Sequence, residues 1–223
     1  MLFEYPAKAA YGKILPKNKI YEHASPSRSV RDLFVEQVDQ IIWKFKLAPE
    51  TINVPATNAV PEIQIFSITL KGDSLKEDIL RCIDGAIPFP ILFELTHGAR
   101  CKMVAAYKRP SEADSRKWVV GNYFASEWLP ADTQRVRLPV ALDLASLYSA
   151  LLSSLLPHAA LPGEGMSARI GRIELIRQRQ REVDKLTSQL EREKQFNRKV
   201  EINANIRNLK SEIAALSSAG QVA

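Results

Sequence analysis

The chain has 223 residues, of which 46% are hydrophobic and 25% charged, the balance of a folded globular protein. That excludes a disordered chain, a collagen and a multi-span membrane protein, and two cysteines exclude a disulfide scaffold. Lys and Arg outnumber Asp and Glu by 31 to 25, a net charge of +6, and the excess is carried mainly from Arg169 onward, where twelve basic residues face seven acidic ones.

Residues 1–25 read as irregular chain, interrupted by Pro6, Gly12 and Pro16. Lys8, Lys13, Lys17 and Lys19 are interleaved there with Tyr5, Tyr11 and Tyr21. Such an arm can pack on its own domain or lie along a phosphate backbone. The segment MLFEYPAKAAYGK lacks a signal peptide's apolar core, which leads to the expectation of a cytoplasmic protein. A helix is expected over about 29–40, capped by Ser29, with Val30, Leu33, Phe34, Val38 and Ile41 at helical spacing. The next run, Trp43-Lys44-Phe45-Lys46-Leu47, alternates with period two and predicts a strand with a basic outer face. The proline-rich stretch that follows is a loop, and residues 62–70 are a second, central strand with few polar side chains.

Ser74 with Glu77 forms the pattern of a capping box, so a helix is expected from there to Pro88. Two strands joined around His97-Gly98-Ala99-Arg100 read as a hairpin, and residues 117–128 as another strand whose Gly121 marks a bulge. A shorter strand follows at Arg135–Val140. Asp143 caps a helix that Pro157 ends. With Asp143, four serines and Pro157, the apolar stretch Leu142–Leu161 is a buried helix and not a membrane span.

The fold class predicted is α+β. A mixed β-sheet domain with packed helices spans 1–160, a linker follows at 161–168, and a C-terminal α-helical coiled coil or helical hairpin occupies 169–218. In that last region Ile202, Ile206, Leu209, Ile213 and Leu216 alternate steps of four and three, an apolar seam. The preceding run of Ile173, Ile176, Val183, Leu186 and Leu190 is out of phase with it, so two helices are expected, about 168–194 and 198–217. They form a hairpin or one long broken helix. So narrow a stripe is marginal alone in water, and the helices must fold back, dimerise or dock on a partner.

Signatures of chemistry are sparse. The sequence has no phosphate-binding glycine loop and no GxSxG. Three histidines leave little for a metal centre, and neither a metal nor a cofactor is expected. Cys82 and Cys101, without a CxxC, read as reduced thiols. Cys101 with His97 lacks a third positioned group. The order of helices and strands invites comparison with restriction-type nucleases, which hold a metal ion with a helix Glu, a strand Asp and a strand ExK. Glu36 and Glu62 are the candidates for such a site, with Gln64 where the lysine would stand and no matching Asp. For nucleic-acid contact the candidates are Lys17, Lys44, Lys46, Arg177, Arg181 and Lys185. Asp84 at a helix end opposes the helix dipole, so it is paired with a lysine or placed for function.

The segments LPKNKIYEH, WKFKLAPETINVP, EIQIFSITL, IDGAIPFPILFEL, AAYKR and QFNRKVEIN together resemble the bacterial domain-of-unknown-function 4391 family, over about residues 10–216. The resemblance implies no assigned activity. It implies genes placed near DNA methyltransferase, helicase or restriction-subunit genes in bacterial defence clusters. The residues of those segments able to act are Lys17, Lys44, Lys46, Thr51, Asn53, Glu62, Asp84, Tyr107 and Lys108. The expectation is a non-catalytic accessory subunit of an anti-phage, restriction-modification-like system, with a helicase, methyltransferase or restriction subunit as partner. DNA and a second copy of the chain are further expected partners, and no membrane is. Direct nucleic-acid binding and a divergent metal-dependent nuclease are the alternatives.

Overall fold

The computed structural model describes residues 1–114 and 117–218. The chain divides after Leu156 into two compact units.

The first unit is built on a mixed sheet. Its strands are β2 (Ala10–Ile14), β3 (Val38–Leu47), β4 (Ile63–Leu70), β5 (Ile91–His97), β6 (Arg100–Pro110) and β7 (Trp118–Ala125), hydrogen-bonded in that order. A short β8 (Leu129–Pro130) pairs with β6. All neighbours are antiparallel except β4 and β5, which run parallel and are joined by the crossover helix α4 (Glu77–Ala86). Apart from the sheet, β1 (Phe3–Glu4) pairs in parallel with β9 (Val136–Arg137). Helices α1 (Lys17–Ala24), α2 (Arg28–Gln37) and α4 pack on one sheet face. There Ile20, Phe34, Phe66, Ile79, Ile83 and Phe93 belong to one buried cluster. Trp43, Phe66, Phe93 and Tyr123 cross that face as a row of aromatic contacts 5.8–6.5 Å apart. Helix α5 (Leu144–Ser153) packs against β6. As expected, Asp143 caps it, accepting from Ser146 N at 2.7 Å.

Several local expectations are corrected. The arm before residue 25 is ordered: it contains β1, β2 and α1. The cap of α2 is Ser27, whose Oγ accepts from Val30 N at 3.4 Å, and the helix yields to β3 already at Val38. The Ser74 capping box does not form. Helix α4 starts at Glu77, and the Lys76 N–H is taken by Gln37 Oε1 at 2.8 Å. Alternation fails in β3, because the register with β4 shifts between Trp43 and Phe45. Trp43 and Lys46 stand opposite Phe66 and Gln64, while Phe45 stands opposite Ile65, so the two lysines do not share an outer face. Gly121 does mark a bulge in β7, as expected, where Gly121 and Asn122 stand opposite Tyr107 alone. The register shifts between Ala106 and Lys108, and a Cβ on Gly121 would lie 3.3 Å from the Tyr107 carbonyl. The Tyr148 hydroxyl donates to Ala106 O at 2.5 Å and accepts from Lys108 N at 3.0 Å, satisfying the backbone that flanks this bulge.

The second unit is an antiparallel helical hairpin of α6 (Met166–Arg192) and α7 (Phe196–Ser218). Arg172 Nη1 reaches the Leu216 carbonyl at 3.0 Å, and Arg179 Nε lies 3.0 Å from Glu212 Oε2, which fixes the pairing. Val183 and Ile206 are buried; Ile202, Leu209, Ile213 and Leu216 are half-buried. The hairpin form settles the choice that the phase break between the two apolar runs left open.

Candidate functional site

The polar residues singled out in the sequence fall into four places. At the first, Lys17 Nζ donates to the carbonyls of Phe34 at 3.0 Å and Val38 at 2.5 Å. These are acceptors at the C-terminal end of α2, which ends without a glycine cap, so the ammonium replaces the missing N–H groups and meets the negative end of the dipole. Burial, and Lys71 nearby, lower the Lys17 pKa.

At the second, the Glu94 side chain is wholly buried. It takes Lys44 Nζ at 2.8 Å on one oxygen and Arg135 Nη1 at 2.6 Å on the other. Burial pushes this carboxyl up, but Arg135 and Lys44 outweigh it and hold it below its ordinary range. Arg135 Nη1 also reaches Phe3 O at 2.8 Å, tying the first strand to this ion cluster.

At the third, Lys46 Nζ lies 2.8 Å from Glu62 Oε2 and 3.3 Å from Glu50 Oε1, and Gln64 Nε2 donates to Glu62 Oε1 at 2.6 Å. The hydrogen bond to Glu62 raises the Lys46 pKa. Thr51 Oγ1 donates to Lys46 O at 2.8 Å, closing the turn after β3, and Asn53 takes the left-handed conformation that ends it.

The fourth is the buried group of Asp84, Lys108 and Tyr123. Lys108 Nζ donates to Asp84 O at 2.6 Å, to Asp84 Oδ1 at 3.2 Å and to Ile87 O. The Tyr123 hydroxyl donates to Asp84 Oδ2. Burial raises the Asp84 pKa and lowers that of Lys108, each opposed by the other's charge. Again a lysine from elsewhere caps a helix C-terminus, here α4, and it also neutralises the carboxylate that the dipole disfavours. The pairing of Asp84 with a lysine is therefore met. Tyr107 lies beside it, opposite the bulge at Gly121.

Glu36 and Glu62 are not brought together. Gln37, next to Glu36, accepts from Lys71 N at the far end of β4, whereas Glu62 directly precedes Ile63 at its start. Eight strand residues, about 26 Å, separate the two ends. Among the described residues no group of three or more His, Cys, Asp or Glu is placed to hold a metal ion. Cys82 and Cys101 are both free thiols. No helix is long and apolar enough to cross a membrane among the described residues.

On the hairpin the candidates are disposed differently. Arg181 and Lys185 are exposed on α6, with Arg177 half-buried one turn earlier. On α7, Phe196 is 77% and Val200 53% exposed. They lie about 120–160° around the helix from the seam that faces α6. Sequence reasoning missed three residues: Arg135, Tyr148 and Arg172. Each acts over a separation of 40 residues or more, on Phe3 and Glu94, on β6 and on Leu216 respectively, and no local pattern signals that.

No curated protein and no solved structure matches this chain. A family model for a domain of unknown function, DUF4391, matches residues 3–213. Because that match takes in both the sheet unit and the hairpin, the chain belongs to the DUF4391 family.

Proposed function

We propose that this protein is a non-catalytic accessory subunit of a bacterial anti-phage, restriction-modification-like assembly, acting through contact with another protein chain. The observation that carries the reading is the contrast between the two units. In the sheet unit, Lys17, Lys44, Lys46, Asp84 and Lys108 are engaged with the fold's own carbonyls and charges. In the hairpin, an apolar seam is closed inward while Phe196 and Val200 stand outward at i,i+4 spacing. An aromatic and a branched side chain on one rigid helix face are the kind of anchor that protein interfaces use. The gene neighbourhoods implied by the family resemblance supply the partner class.

The test is affinity isolation of the tagged full chain from its own host. A methyltransferase, helicase or restriction subunit is expected to co-purify in fixed ratio, and Phe196→Ser with Val200→Ser to release it. Recovery of the same polypeptide with the double variant, or of none of these classes with the parent chain, overturns the reading.

A further inference from the structure

We infer that the outward face of α6 is a binding site for the phosphate backbone of duplex DNA. At 3.6 residues per turn, Arg177, Arg181, Lys185 and Arg192 fall within an arc of about 80°, and Val183, Leu186 and Leu190 lie on the opposite side. The hairpin therefore has two faces on one helix, an apolar one toward α7 and a predominantly basic one away from it, with Glu174 in the same arc a turn before Arg177 and Asp184 and Glu191 about 20–40° beyond its edge. Arg181, Lys185 and Arg192 are exposed, and no salt bridge holds any of them among the described residues. The other candidate lysines differ in this respect: Lys17, Lys44 and Lys46 are engaged with carbonyls or carboxylates.

The chemistry favours a phosphate polymer. Successive cations at i,i+4 rise about 6 Å along the helix axis, which suits a ligand with regularly repeated charge. Three of the four are arginines, whose planar fork matches phosphate oxygens in pairs. A lipid surface would require an apolar face beside the cations, and on α6 the apolar face is turned to α7. Phosphate contacts carry no sequence information, so binding through this stripe is to the backbone and independent of sequence.

This site goes beyond the proposed protein contact and does not depend on it. The test uses the purified full chain and a fluorescent duplex of about 20 base pairs, with affinity followed against salt. With three to four phosphates neutralised, affinity falls about 40- to 150-fold between 50 and 200 mM salt. Arg181→Glu with Lys185→Glu lowers the slope of log affinity on log salt by about 2. Neither side chain is in a salt bridge among the described residues, so the variant keeps its far-ultraviolet helical signal. Lys8→Ala with Lys13→Ala, on the N-terminal arm, leaves the slope unchanged. Absence of salt-dependent binding, a slope unmoved by the α6 reversal, or an equal loss with the arm variant overturns the inference. So does capture by an acidic protein partner with no affinity for the duplex. In that case the protein-contact proposal still stands, because its own test is made on Phe196 and Val200.

Discussion

Lys108 has its ammonium inside the protein, where removing one partner of an ion pair exposes the whole cost of burying the other. Lys108→Met strands the Asp84 carboxylate and uncaps α4, and it should cost about 3–5 kcal/mol in urea unfolding. Adding Asp84→Asn should return part of that loss. A double variant as unstable as the sum of the singles would mean the two groups do not interact. Glu94 ties stability to pH. Its folded pKa is lowered, so its contribution is complete above about pH 4.3, the unfolded value, and is lost as pH falls through the lower folded value. Glu94→Gln should therefore cost about 1.5–3 kcal/mol near neutrality and flatten the loss of stability in acid, read from urea midpoints between pH 3 and 6. An unchanged acid slope would place the acid sensitivity elsewhere. Neither group was fully legible beforehand. The helix-end position of Asp84 signalled that it needs a cation, but only the register of β6 brings Lys108 to it.

At the scale of elements, long periodic runs were legible and short compensated ones were not. The seam of α7 and the apolar run of α6 predicted both helices, because helical spacing is sustained over about four turns or more in each. In β3 the run from Trp43 to Leu47 alternates without interruption as text, yet a bulge moves Lys44 and Phe45 out of step, since Lys44 is drawn to Glu94 and Trp43 to Phe66. Strand β2 has five exposed residues and an edge position, so no burial pattern marks it. The ends of α2, α4 and α7 are closed by Lys17, Lys108 and Arg172 from other parts of the chain, where a sequence reading looks for glycine. The hairpin depends on the central pair of Val183 and Ile206. Ile206→Asp buries an unpaired charge there and should cost about 3 kcal/mol or more, seen as lost amide protection across 166–218. Protection that survived would show the seam does not hold the helices together.

At the scale of the whole molecule, charge and structure divide along the same boundary. The sheet unit has a buried apolar cluster of its own and the hairpin an inward apolar seam, but they handle cations in different ways. In the first unit the lysines nominated from the sequence complete helices and neutralise buried carboxylates. In the second, basic side chains remain on the surface of α6. The charge excess visible in the sequence from Arg169 onward thus includes exposed side chains on α6, whereas Lys17, Lys44 and Lys46 of the sheet unit are engaged by carbonyls and carboxylates. A lysine that caps a helix and a lysine that meets a phosphate are the same letter, and only the carbonyls around Lys17 and Lys108 distinguish them.

The pairing of Phe3 with Val136 has a consequence for synthesis. On the ribosome, at roughly 5–20 residues per second, the opening strand waits about 7 to 27 s for its mate to be made. Until then Phe3, buried in the finished protein, lacks its strand partner, although Phe45, on which Tyr5 packs, is already made. The strand is thus made early and seated late, and its burial is tied to completion of the sheet unit.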